Sequence, residues 1–195
     1  MLTVKYLTST EITKLFSKID SIRDKALFGL MYYYGLRCSE ASRLKLKDLR
    51  IDDMRVFIEA SKNGISGEYA LSKEARKLLL PYLKERLKSK SHSEALFLSK
   101  KATLESGHLD PSQINRLYKE YAKKAKIPED KRHPHTLRHS IAVHMADGGV
   151  PVEHVQIHLR HRKIDSTMVY FEITSKRRHE LQLKALSNIS IAIIK

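Results

Sequence analysis

Apolar residues recur along this chain at two different periods, and the change of period sets the expected order of elements. From Thr8 the spacing is helical. Thr8 or Ser9 stands as a cap, Glu11 falls in the first turn, and Ile12, Leu15, Phe16 and Ile19 share one face. A second helix is expected over 23–34, stopped near Gly35, with Leu27, Leu30, Met31 and Tyr34 in the core. A third, short helix follows to about Leu44, with Ser39 a candidate cap. The period then drops to two. DLRI at 48–51, MRVFIEA at 54–60 and EYALS at 68–72 read as strands of a small antiparallel sheet. The turn-forming run SKNGISG between the last two predicts a hairpin tip near Lys62–Gly67.

Beyond Lys73 the helical period returns. Ala75, Leu78, Leu79 and Leu83 form one face, and Pro81 is expected to kink or interrupt it. Residues 89–111 read as loop, with ALFLS a short buried piece. Helices are then expected over 112–125, 136–146, 152–159 and 165–173, and a last one over 176–186. The tail SNISIAIIK is apolar and β-prone. The pattern as a whole predicts an α+β fold, mostly helical with a small three-stranded antiparallel sheet. No internal repeat or linker divides the 195 residues, so residues 1–195 read as one domain.

Composition narrows the partners. Thirty-seven Lys and Arg face 22 Asp and Glu, a formal charge of +15. Such an excess favours a polyanion, because each phosphate contact releases counterions. No cationic amphipathic helix stands apart to point at a membrane surface, and no stretch approaches spanning length. A single cysteine, Cys38, excludes an internal disulfide, and the N-terminus lacks the apolar run of a signal peptide. A soluble, cytoplasmic protein is the expectation.

Several basic groups stand out by position. Arg37 follows Gly35 at the end of a helix, with Glu40 three residues on. Lys62 lies at the hairpin tip. His135 and Arg138, spaced i, i+3, share a helix face, and His161 closes the segment HLRH. Arginine offers a planar, permanently charged fork for phosphate oxygens, and histidine exchanges protons near neutrality. His135 and His139 also have the HxxxH spacing of zinc ligands, but the glutamate of HExxH is absent from HTLRH. Taken singly, each group reads first as a solvated, salt-bridged or packing residue; Tyr170, for instance, is one tyrosine among nine.

Their joint order resembles the tyrosine recombinase, or phage integrase, family over nearly the whole chain. GLRCSEASRLKLKDL is similar to the G-L-R-x-S-E box, the lysine in SKNG to the hairpin lysine, and HPHTLRHSIAVHMADGGVPVEHVQIHLRHRKIDSTMVY to the H-x-L-R-H-S block, the L-G-H box and a tyrosine nine residues past the second histidine. The resemblance implies a catalytic domain whose Tyr170 attacks the scissile phosphate. Arg37 and Arg138 would clamp it, Lys62 would protonate the leaving 5′-oxygen, and His135 would accept the nucleophile's proton. His161 would donate to the phosphate, and Glu40 would orient the cluster. No cofactor, metal or small-molecule substrate is implied.

The implied partner is double-stranded DNA, with self-association into a tetrameric synapse, and the implied location is the nucleoid. Residues 188–195 would be a docking tail for a neighbouring protomer or fold back on their own sheet. The separate helical core-binding domain that family members generally carry has no counterpart in these 195 residues, which reads as a fragment or as a naturally short member like the fimbrial switch invertases. A type IB topoisomerase and a catalytically dead DNA-binding regulator share enough of these features to stand as alternatives. One departure is local. Arg160 replaces the glycine of L-G-H, which suggests a turn without positive φ and an extra positive charge beside the phosphate.

Overall fold

The computed structural model describes residues 4–61, 64–99 and 107–187. Eight helices and one sheet appear among them: α1 (Ser9–Ser17), α2 (Ile22–Tyr33), α3 (Cys38–Arg43), β1 (Leu49–Arg50), β2 (Arg55–Ile58), β3 (Gly67–Ala70), α4 (Lys73–Lys88), α5 (Pro111–Lys124), α6 (His135–Asp147), α7 (Val152–Leu159) and α8 (Asp165–Ser187). Thr8 caps α1 in a reciprocal box with Glu11. The strands are antiparallel in the order β1-β2-β3, with Leu49 opposite Val56 and Val56 opposite Tyr69. Val56 and Ile58 point into the core while Phe57 between them is exposed, the alternation that a one-sided sheet requires. The α+β architecture is therefore as the period change predicts.

The main core is centred on α2, whose Leu27, Phe28, Leu30 and Met31 are buried. Helix α4 packs along α2. The ALFLS segment is buried at Leu96 and Phe97, and both backbone bridges and side chains hold it: the Leu96 amide donates to the Leu44 carbonyl at 2.7 Å and the Leu109 amide to the Phe97 carbonyl at 3.1 Å. Tyr82 donates its hydroxyl to the Leu96 carbonyl at 2.9 Å, and buried Arg86 donates to the carbonyls of Ala95 and Ser93. A smaller cluster joins α6, α7 and α8 through Ala142, Val143, Val155, Leu159 and Tyr170. The chain before α1 is tied to it by the Leu7 amide, which donates to Ser140 Oγ at 2.7 Å.

Three local expectations fail. Pro81 does not interrupt α4, which runs unbroken past it. Pro81 and Lys77 are both exposed, so water reaches the carbonyl that loses its i→i−4 partner. The helices expected over 165–173 and 176–186 are one helix, α8. The Thr174 hydroxyl at the expected break donates back to the Phe171 carbonyl at 3.0 Å, so its polar group is satisfied inside the helix. Ser39 is not the cap of α3. That position belongs to Arg37, and Glu40 at the third helical residue accepts from the Arg37 amide.

The turn after α2 sets the geometry of everything downstream. Gly35 has φ +56, and a Cβ there would lie 2.7 Å from Leu159 Cδ2. Glycine alone meets both constraints without strain. Gly35→Ala should therefore lower stability by about 1–3 kcal/mol, read as a lower urea midpoint with an unchanged m-value.

Candidate active site

Glu40 is the meeting point of the candidate residues. Its side chain is fully buried. Oε1 accepts from Arg37 Nη1 at 2.8 Å, from the Ser61 hydroxyl at 3.2 Å and from the Ser61 amide at 3.3 Å. Oε2 accepts from the Arg37 amide at 3.0 Å and from Arg160 Nη2 at 3.1 Å, with Arg138 Nη1 4.0 Å away. Four segments far apart in sequence thus converge on one carboxylate: the start of α3, the β2–β3 loop, α6 and the turn after α7. Burial pushes the Glu40 carboxyl up. The Arg160 charge, the Arg37 hydrogen bonds and the Arg138 charge more than offset it and hold the pKa at about 2.

The three arginines differ in access. The Arg37 side chain is 31% exposed, whereas those of Arg138 and Arg160 are 1% and 0%. Arg138 donates to the carbonyls of Gly35 and Leu159, which locks it between α2 and α7. Desolvation and the neighbouring Arg37 and Arg160 charges lower its pKa to about 9, leaving it charged at neutral pH. Arg37, Arg160, His161, Arg162, Lys163, Gly64 and Ser166 line a cavity of about 480 Å³.

The histidines stand around this cationic centre. His135 faces solvent from the start of α6, yet partial desolvation and the Arg138 and Arg37 charges hold its pKa at about 4. Burial, then Arg138 and Arg37, hold His161 at about 3, and its Nδ1 lies 2.9 Å from the Thr167 hydroxyl. Tyr170 is 3% exposed, on the face of α8 that also buries Thr167 and Thr174. Burial raises its pKa, and the Arg138 and Arg37 charges oppose that rise. Arg37, Arg138, His135, His161, Glu40 and Tyr170 are thus brought within electrostatic reach of one another. Lys62 and the 188–195 tail lie outside the described residues. The described neighbours of Lys62 do meet the site: Ser61 binds Glu40, and a Cβ on Gly64 would lie 3.1 Å from the Arg160 carbonyl.

Two residues carry parts that the sequence reading did not give them. His139, weighed there only as a zinc-like partner of His135, places Nδ1 2.9 Å from the Tyr170 hydroxyl. It also stacks edge-on against His135, with centroids 4.4 Å apart. Its i, i+4 spacing from His135 was the available signal, since it puts both rings on one face of α6. Arg160 corrects both expectations placed on it. Its φ is +59, so the turn keeps the left-handed conformation that glycine normally supplies. Its guanidinium is not an open charge beside a phosphate, because it is buried against Glu40 and the carbonyls of Tyr34, Gly35 and His158.

With this geometry in view, the comparisons are consistent. The chain belongs to the phage integrase family, whose model matches residues 5–177. Among relatives, it is 34% identical over 181 residues to tyrosine recombinase XerA of Pyrococcus horikoshii, covering 93% of this chain and 61% of that protein. It is 28% identical to the type 1 fimbriae regulatory protein FimE of Escherichia coli, over 85% of this chain and 84% of that one. The crystal structure of XerA recombinase superposes with a TM-score of 0.80 at 24% identity, covering 96% of this chain and 66% of the other. XerH site-specific recombinase in its post-cleavage complex with a palindromic difH substrate gives 0.74 at 20% identity, covering 92% and 52%. The chain spans about three fifths of the length of the XerA relative. Among the described residues, no helix is long and apolar enough to cross a membrane.

The depressed histidines make stability pH-dependent. A histidine whose folded pKa lies below its unfolded value of about 6.5 stabilises the fold fully above that value. The contribution is lost as pH falls toward the folded pKa. His158, held at about 4 by burial and then by the Arg160 charge, donates Nε2–H to the Tyr33 carbonyl at 2.9 Å. The thermal midpoint should fall steadily between pH 6.5 and 4. His158→Gln should flatten that slope by at most on the order of 3 kcal/mol, measured as the difference between the two midpoint-versus-pH curves.

Proposed function

We propose that this chain is the catalytic part of a site-specific DNA recombinase, cleaving and rejoining strands through a 3′-phosphotyrosine at Tyr170 without ATP or metal. The observation that carries the reading is the convergence of Arg37, Arg138, His135, His161 and Tyr170 around buried Glu40. Phenols ionise near pH 10, so a tyrosine nucleophile needs cations nearby and a group to take its proton. Arg37 and Arg138 stabilise the charge that builds on the non-bridging oxygens in the transition state. Tyr170 Oη bonds to phosphorus as the bond to the 5′-oxygen breaks. The phenolic proton passes to the His135–His139 pair, and Lys62 delivers a proton to the departing 5′-oxygen. His161 donates to the phosphate. The phosphotyrosine retains the energy of the broken diester, so a 5′-hydroxyl of another strand restores a phosphodiester by the reverse step.

Double-stranded DNA is the proposed partner, supported by the +15 charge and by the DNA-bound state of XerH among the structural neighbours. Self-association on DNA would supply the second pair of strands. The nucleoid is the proposed location.

A nicked suicide substrate, which loses its 5′-hydroxyl fragment after cleavage, tests the reading. The protein should form a covalent adduct on it, and Tyr170→Phe should abolish the adduct while DNA affinity changes less than about threefold. Adduct surviving in Tyr170→Phe would remove Tyr170 as nucleophile. Supercoil relaxation without exchange between sites would favour a topoisomerase instead, and absence of any adduct would favour a DNA-binding regulator. Lys62→Ala should be slow on the ordinary substrate and restored when a 5′-thiol, which leaves without protonation, replaces the 5′-oxygen.

A further inference from the structure

Arg160 stands where the family motif places glycine, and the chain bears a double cost to keep it there. A non-glycine residue at φ +59 is strained. A buried guanidinium must also be compensated, and its Nε has no hydrogen-bond partner among the described residues. Its remaining contacts all go to the framework of the site. Nη2 donates to the carbonyls of Tyr34 at 2.9 Å and Gly35 at 3.1 Å and to Glu40 Oε2 at 3.1 Å. Nη1 donates to the His158 carbonyl at 2.9 Å. The guanidinium also lies 5.6 Å from the centre of the Tyr69 ring, bringing β3 to the turn.

Glu40 Oε2 is the oxygen that decides what this does. Arg160 Nη2 and the Arg37 amide occupy it, and Arg138 Nη1 waits 4.0 Å away, bonded to the Gly35 carbonyl instead. Without Arg160, a buried carboxylate short of one cation would draw Arg138 in, since two buried opposite charges gain strongly from closing that gap. Arg138 would then be a partner of Glu40 rather than of a phosphate.

We propose that Arg160 is a positioning residue for strand cleavage: as the resident counterion of Glu40 Oε2, it keeps Arg138 off Glu40 and fixes the turn that carries His161. It does not touch the phosphate. The inference rests on the recombinase reading above and adds a residue to it. The charged groups facing Glu40 among the described residues are Arg37 from α3, Arg138 from α6 and Arg160 from the α7–α8 turn, and the titratable His135 at the start of α6 also feels its charge.

The test is Arg160→Gly, which restores the motif's own residue and relieves the backbone strain. Wild-type and variant protein are compared on the nicked suicide substrate. Cleavage by Arg160→Gly should fall about 100-fold, with DNA affinity changed less than about threefold. Its rate should gain an acid limb above that of wild type, because Glu40 has lost its main counterion. Glu40→Gln in the same chain should remove that added limb, and the double variant should lose less than the product of the single losses. A methylphosphonate at the scissile position, which removes one anionic oxygen, should restore Arg138→Ala and, because its loss runs through a diverted Arg138, Arg160→Gly as well.

Arg160→Gly cleaving as fast as wild type, or left slow by the methylphosphonate that restores Arg138→Ala, would overturn the proposal while leaving the recombinase reading intact. A wild-type protein that forms no adduct would overturn that reading and this inference with it. If Arg160→Gly unfolds, Arg160→Met with Glu40→Gln removes both charges together. Rates for that pair matching Glu40→Gln alone would support the proposal, and a further 100-fold loss would overturn it.

Discussion

A carboxylate sealed from water must be surrounded by enough positive charge and hydrogen-bond donors to stay there ionised, and Glu40 imposes that requirement on the rest of the molecule. Its donors come from three segments and a further cation from α6, so the site closes only when the hairpin, α3, α6 and the α7–α8 turn have all arrived. The carboxylate is costly to bury, and a hydrophobic replacement could be as stable. What the ionic arrangement supplies is geometry: the Arg138 and Arg160 guanidiniums are each fixed at two or more points, and that of Arg37 at one.

The fold serves this arrangement through backbone rather than through additional side chains. Gly35 turns the chain out of α2 at positive φ and offers its carbonyl to both Arg138 and Arg160. Leu159 closes against Gly35 and offers its own carbonyl to Arg138. The end of α2 and the end of α7 are thus two halves of one clasp around Arg138. Any shift between these helices moves Arg138, the proposed phosphate ligand, which would tie packing in the core to chemistry at the surface.

Much of this was legible in sequence, and the misses share a cause. Periodicity located the helices and the sheet because each buries one face, and that face repeats locally. The order of Arg37, Arg138, His161 and Tyr170 could be read because the spacings are themselves a motif. Arg160 could not be read, because its meaning depends on Glu40, 120 positions earlier. A charged residue beside a phosphate site reads as a phosphate ligand until its counterion is known. His139 was half legible: its face on α6 followed from spacing, but its partner on α8 did not. The joined helix α8 and the unbroken α4 turned on whether water or a side chain could satisfy a polar group, which propensity does not encode.

The histidines show how the same electrostatics would couple cleavage to DNA. Desolvation, and after it the surrounding positive charge, keeps His135, His139 and His161 neutral far below their ordinary range. A weakly basic imidazole is a poor proton acceptor, and Tyr170 beside it is a buried phenol with a raised pKa. A phosphodiester entering between Arg37 and His161 brings a negative charge to the centre of this cationic field. It cancels the repulsion that holds the imidazoles down and makes them better bases at the moment a substrate is present. The two arginines that already oppose the raised pKa of the phenol would stabilise its phenolate. Substrate charge, rather than a separate trigger, would then switch the acid–base groups on.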